Sequence, residues 1–141
     1  MDATGRSCGN GSCKIYNLDF ADVISVRNAL LPAGEREENI ACDLNDTAWF
    51  DKIAASGGAV FFAAGVFYYF LKDQVRSLVQ AMAKAFPGGR LVFDAANKSA
   101  VKLMLKTWIK NAKIQDVGAY FAVSDAKAEL SAWSPSISVS S

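Results

Sequence analysis

Apolar residues along the chain change their period several times, and each change marks an element. Lys14 to Leu18 (KIYNL) is a short β-forming run that ends at Asp19. From Phe20, the residues Val23, Val26, Ala29 and Leu30 recur at helical spacing, which predicts a helix burying that face and stopped by Pro32 and Gly34. Asn39 to Cys42 (NIAC) reads as a second short strand, ending at Asp43. Asp46 or Thr47 is then placed to cap a helix carrying Trp49, Phe50 and Ile53 and closed by Gly57-Gly58. Ala59 to Ala64 (AVFFAA) is continuously apolar, as expected of a central strand covered by helices on both faces, and Gly65 follows it as a turn. Lys72 to Phe86 sets Val75, Leu78, Val79, Met82 and Phe86 on one stripe, with the charged residues largely off it on a solvated face. Pro87-Gly88-Gly89 ends that helix, and Arg90 to Ala95 (RLVFDA) predicts a fourth strand. Asn97 to about Asn111 is helical by the spacing of Val101, Met104, Leu105, Trp108 and Ile109, and a shorter helix is expected over Ser124 to Trp133, capped by Ser124 or Asp125. SPSISVSS reads either as a fifth strand cut short or as a frayed end.

Strand and helix therefore alternate four times, which predicts an open parallel α/β sheet of doubly wound type. A length of 141 residues fits one domain, and 15 Lys+Arg against 14 Asp+Glu leaves no basic face for nucleic acid. The absence of histidine excludes Ser-His-Asp and Cys-His hydrolysis, His-ligated zinc and any histidine general base. Three cysteines, Cys8, Cys13 and Cys42, without CxxC spacing support neither a disulfide framework nor a four-cysteine metal site, so a reducing, cytoplasmic setting is expected. MDATGRSCGNGSCK lacks the apolar core of a signal peptide, and Ala59 to Leu71 falls short of the roughly 20 residues of a spanning helix; neither secretion nor membrane insertion is expected.

In doubly wound folds the ligand lies beyond the carboxyl ends of the strands, where Asp19, Asp43 and Asp94 stand. A carboxylate there can accept both hydroxyls of a ribose, which makes Asp19 the leading contact; the competing reading is that Asp19 caps the helix starting at Phe20. Gly5, Gly9 and Gly11 do not spell a dinucleotide fingerprint and follow no strand, and Cys8 and Cys13 read as ordinary thiols. Of Tyr68 and Tyr69, one can reach a site while the other packs. Phe61, Phe62, Phe67 and Phe70 are expected to fill core, and Trp49, Trp108 and Trp133 to pack between helices and sheet.

Taken in order, KIYNLDFADVISVRNALLP, IACDLNDTAWFDKI, AVFFAAGVFYYFLKDQVRSLVQAMAKAFPGGRLVFDA and DAKAELSAWSPSI resemble the leucine carboxyl methyltransferase-like family of class I S-adenosylmethionine-dependent O-methyltransferases, its polyketide-type branch most closely. The resemblance covers nearly the whole chain. It implies that Asp19, in LDFAD with Ala21 in place of the family's proline, holds the donor ribose, and that Asp43-Leu44 flanks the adenine. The family's Ala-Glu-Gly-Val followed by Tyr corresponds to Ala63-Ala64-Gly65-Val66 with Tyr69, so Ala64 replaces a carboxylate and sits with Gly65 beside the donor. The family's glycine loop after its first strand ends in Asp-Thr, and Met1-Asp2-Ala3-Thr4 reads as starting inside it, which puts Asp2 among the donor contacts.

On this resemblance the chain is expected to be a single partial domain over 1–141: a partial Rossmann-like parallel sheet of class I methyltransferase type, lacking the first and last strands. The first strand would lie between the second and fourth, so its loss leaves sheet edges open to association with another copy. The implied activity is methyl transfer from S-adenosylmethionine to a hydroxyl or carboxylate oxygen of a small molecule or protein, impaired by truncation, with Tyr69 or Asp94 assisting in place of a histidine base and no metal. The alternative is a non-catalytic, nucleoside-binding remnant, or a subunit completed by a partner chain.

Overall fold

In the computed structural model, Ser7, residues 11–104 and residues 121–140 are described. The chain divides into two units, Met1–Ala54 and Ala55–Ser141.

In the first unit, β1 (Ile15–Asp19) is followed by α1 (Ala21–Leu30) and β2 (Glu37–Ala41). The intervening helix lets the strands run parallel, in a register from Ile15↔Glu37 to Asp19↔Ala41. The ladder extends past both ends, with Ile15 N–H donating to the Arg36 carbonyl at 2.8 Å and Cys42 N–H to the Asp19 carbonyl at 2.9 Å. Ile40, Ile24 and Trp49 are the buried apolar residues, and Phe50 meets the Trp49 ring edge-on. Asp46 caps the next segment by accepting Ala48 N–H at 2.9 Å. That segment, Thr47–Lys52, is a 3₁₀ turn and not the expected α-helix. With six residues between cap and closure, few α-helical bonds would form to offset the nucleation cost.

The buried face of α1 also departs from expectation. Val26 and Leu30 are 51% and 71% exposed, whereas Ile24 and Arg27 are buried. Apolar residues wrap most of this helix, so their spacing does not select one stripe. The choice is made by Arg27, whose Nε donates to Asn39 Oδ1 on β2 at 3.1 Å and turns that side of the helix inward.

The second unit comprises β3 (Val60–Ala63), a 3₁₀ turn (Phe67–Tyr69), α2 (Lys72–Ala85), β4 (Arg90–Phe93), α3 (Lys98–Met104) and α4 (Ala126–Ser131). Strands β3 and β4 pair in parallel from Val60↔Arg90 to Ala63↔Phe93. The core holds Val75, Leu78, Val79 and Met82 of α2 with Phe86, Phe67, Phe121, Leu130 and Trp133. Phe67 contacts Phe93 and Phe121 edge-on, at centroid separations of 5.2 and 6.1 Å. Gln74 Oε1 accepts Leu71 N–H at 2.8 Å, the reach-back half of a capping box on α2. Of the two cap candidates for α4, Asp125 is used, accepting Ala128 N–H at 2.9 Å.

Two expectations for this unit are corrected. Val60 and Phe62 are 57% and 77% exposed while Ala63 is buried, so β3 alternates and is not covered on both faces. The phenylalanine cluster and α2 supply cover for one face only: Phe61 packs on Phe86 at 5.0 Å, and Val92, the register partner of Phe62, is exposed with it. SPSISVSS forms no strand through Ser140; Ile137 N–H closes a turn onto the Ser134 carbonyl at 3.1 Å. The expected continuation of α3 towards Asn111, with Leu105, Trp108 and Ile109, lies outside the described residues.

The described residues are thus mixed α/β, with two separate two-stranded parallel sheets. No helix among them is long and apolar enough to cross a membrane.

Candidate functional site

At the carboxyl end of the β1–β2 pair, Asp19 closes its strand and Cys42-Asp43 follows the other. Because the two strands are parallel, both ends emerge on one side, and the Cys42 amide ties them together through the Asp19 carbonyl. The Asp19 side chain is exposed, and its Oδ1 accepts the N–H of Phe20, the next residue, at 2.9 Å. Capping is therefore not its role: the N-cap of α1 is Phe20, which makes no side-chain cap bond. One carboxylate oxygen is left facing solvent, with lone pairs for a ligand's hydroxyls. Asp43 is exposed and folds into a local turn, Oδ1 accepting both the backbone N–H and the side-chain amide of Asn45 at 2.9 Å; Leu44 beside it is half-buried. Burial pushes the Cys42 thiol above its usual range; the Lys52 ammonium opposes this, and the carboxylates of Asp19, Asp43 and Asp46 add to it. An exposed carboxylate such as that of Asp19 has the acceptor chemistry for a vicinal diol, and Leu44 beside Asp43 is half-buried.

In the second unit a different cluster closes the β3–β4 pair. Gly65 turns the chain with φ +68°, in a region open to glycine without penalty, and its N–H donates to Asp94 Oδ1 at 2.7 Å. Burial first, and then the negative charge of the Asp94 carboxylate, raise the Tyr68 phenol above its ordinary value. The bond from Gly65 to Asp94 fastens the loop after β3 to the end of β4. Tyr69, the residue expected to assist chemistry, is 63% exposed, and the phenol that the Asp94 charge raises is that of its neighbour Tyr68. Ala64 is exposed at the turn.

The structure thus brings together Asp19, Asp43 and Leu44 in the first unit, and Gly65 and Asp94 in the second. Asp2, Cys8, Gly5 and Gly9 lie outside the described residues. Sequence reasoning missed Tyr68 as the phenol that feels the Asp94 charge, and the polar group around Asn39. The first had no spacing signal, because a 3₁₀ turn sets which of two adjacent tyrosines points inward. Among the described residues no group of three or more His, Cys, Asp or Glu is disposed to hold a metal. A hollow of about 200 Å³ lies at the opposite, amino end of β1 and β2, lined by Gly11, Cys13, Gly34 and Arg36 among others. Comparison with protein-family models, curated proteins and solved structures finds no match to this chain.

Proposed function

We propose that the chain is a Rossmann-like domain of class I methyltransferase type that takes S-adenosylmethionine as methyl donor for an oxygen acceptor. The observation that supports this most is the parallel register of β1 and β2, which sets the exposed Asp19 carboxylate beside Cys42-Asp43. In this reading Asp19 accepts the ribose hydroxyls and Asp43-Leu44 flanks the adenine. The donor, when bound, supplies an activated methyl group on sulfur, so the protein's work is alignment and exclusion of water. The family resemblance alone adds Asp2, Ala64 and Gly65 as donor contacts. Proton removal from the acceptor falls to Tyr69 or Asp94, since the chain has no histidine. Asp94 Oδ1 already accepts the Gly65 N–H, so this carboxylate also holds the turn after β3. The acceptor is a small molecule or a protein bearing a hydroxyl or carboxylate, the setting is cytoplasmic, and open sheet edges offer a second copy a place to pair.

A second reading, a nucleoside-binding protein without turnover, is favoured by Ala64, which stands where the resembled family carries Glu. A methyl-transfer assay with isotopically labelled donor and a panel of hydroxyl and carboxylate acceptors separates the two. Turnover abolished in Asp19→Ala supports the enzyme; donor binding by a folded chain without turnover on any acceptor supports the second reading.

A further inference from the structure

We propose that Asn39, with Asn17 and Arg27, is a positioning residue for the Asp19 and Asp43 end of the first unit: the three fix the register of β1 on β2. This rests on the nucleoside-binding reading of that end. Asn17 and Asn39 are register partners in the middle of the ladder, and Asn17 Nδ2 donates to Asn39 Oδ1 at 3.0 Å. The same oxygen accepts Arg27 Nε at 3.1 Å, and Asn39 Nδ2 donates to Asn28 Oδ1 at 2.7 Å. Arginine has no acceptor, so Arg27 dictates which end of the Asn39 amide points at it, and the Asn39 oxygen is then filled by two donors. Arg27 is 6% exposed, and a guanidinium so deeply placed is costly unless its donors are met.

A polar group is needed for register because apolar burial does not supply it on this face. The row facing α1 reads Ile15, Asn17 and Asp19 on β1 and Glu37, Asn39 and Ala41 on β2. Sliding one strand by two residues keeps every side chain on its face and changes little apolar burial in that row, so on this face the polar network opposes the slip, as buried Ile40 does on the other. The slip breaks the Asn17–Asn39 pair and moves Asn39 away from Arg27. It also separates Asp19, two residues beyond Asn17, from Cys42-Asp43, which follow the end of β2. The network thus acts on the candidate site through the backbone.

The test is amide hydrogen exchange by NMR on the full chain, followed by titration with S-adenosylhomocysteine, for wild type, Asn17→Leu, Asn39→Leu and Asn39→Asp. In both leucine variants the Cys42 amide is expected to lose about tenfold or more of its protection while Ile24 in α1 stays protected, and S-adenosylhomocysteine affinity is expected to fall about tenfold. Asn39→Asp restores both, because a carboxylate oxygen accepts from Arg27 and Asn17 alike. A network that only adds stability would lower the melting temperature and deprotect Ile24 to the same extent as Cys42; that result, or a Cys42 amide as protected as in wild type, overturns the proposal. Should Asn39→Leu not fold, Asn17→Leu, which keeps the Arg27 contact, decides by the same readout. A wild-type chain that binds no S-adenosylhomocysteine overturns the nucleoside reading, while deprotected Cys42 in the variants still establishes the register lock.

Discussion

The Cys42 amide donates to the Asp19 carbonyl across 2.9 Å, one step beyond the last paired residues of β1 and β2. Through this bond an acidic side chain at one strand end is held beside the acidic turn that follows the other. The consequences of that arrangement, and of the second cluster around Asp94, can be measured separately.

Asp94→Asn removes a charged acceptor from Gly65 N–H and a negative charge near the Tyr68 phenol. Its exposure limits the expected destabilisation to about 1 kcal/mol, read from denaturant melts. The same change lets the Tyr68 phenol fall back towards its ordinary value of 10.0, visible in ultraviolet tyrosinate titration. Because the folded Tyr68 phenol titrates above its unfolded value, its contribution is fully present below pH 10 and is lost as pH rises through the folded value. Asp94→Asn should flatten that alkaline loss.

Glu129 governs the acid limb. The Lys72 ammonium first, and then the Ser124 N–H at 2.9 Å and the Asp125 N–H, hold its carboxyl at about 2 against an ordinary 4.5, with burial opposing. A depressed carboxyl contributes stability that is complete above pH 4.5 and is lost as pH falls through 2. Thermal melts across that window should show the decline in wild type and a shallower one in Glu129→Gln.

The one-sided cover of β3 predicts opposite outcomes for neighbouring aromatics. Phe62→Ser, at a residue 77% exposed, should change stability by no more than about 0.5 kcal/mol. Phe67→Ala, at 2% exposure in the aromatic cluster, should cost about 3–5 kcal/mol. Equal losses at the two positions would mean that β3 is covered on both faces.

Gly65→Ala tests the turn. No atom lies within 4 Å of the added methyl, so the penalty is backbone strain alone, about 1–2 kcal/mol by chemical denaturation.

Much of the element order was legible because strong local signals agreed. The α2 stripe of Val75, Leu78, Val79 and Met82 is buried as its period demands, and Gly65 adopts the turn conformation expected of it. The failures share a cause, which is that partners distant in sequence decide between locally equivalent choices. Spacing chose Val26 and Leu30 for the buried side of α1, but Asn39, twelve residues beyond Arg27, turned the helix instead. A continuous apolar run was read as a strand covered on both faces, whereas Val60 and Phe62 are exposed, because an apolar run does not itself show how many layers cover a strand. At the candidate site Asp19 was visible as a strand-end carboxylate, and local spacing favoured a cap as readily as a ligand contact. Phe20 taking the N-cap position removes the cap reading, and titration with S-adenosylmethionine tests the ligand contact.

The most direct test of the central claim is calorimetric titration of the full chain with S-adenosylmethionine and S-adenosylhomocysteine, with Asp19→Ala as control. The account predicts saturable binding of both, weakened about tenfold or more in Asp19→Ala, and an unchanged melting temperature for that variant, since Asp19 is exposed and caps no helix. A cooperatively folded wild-type chain that takes up neither ligand, or an Asp19→Ala chain that binds as tightly as wild type, would contradict it.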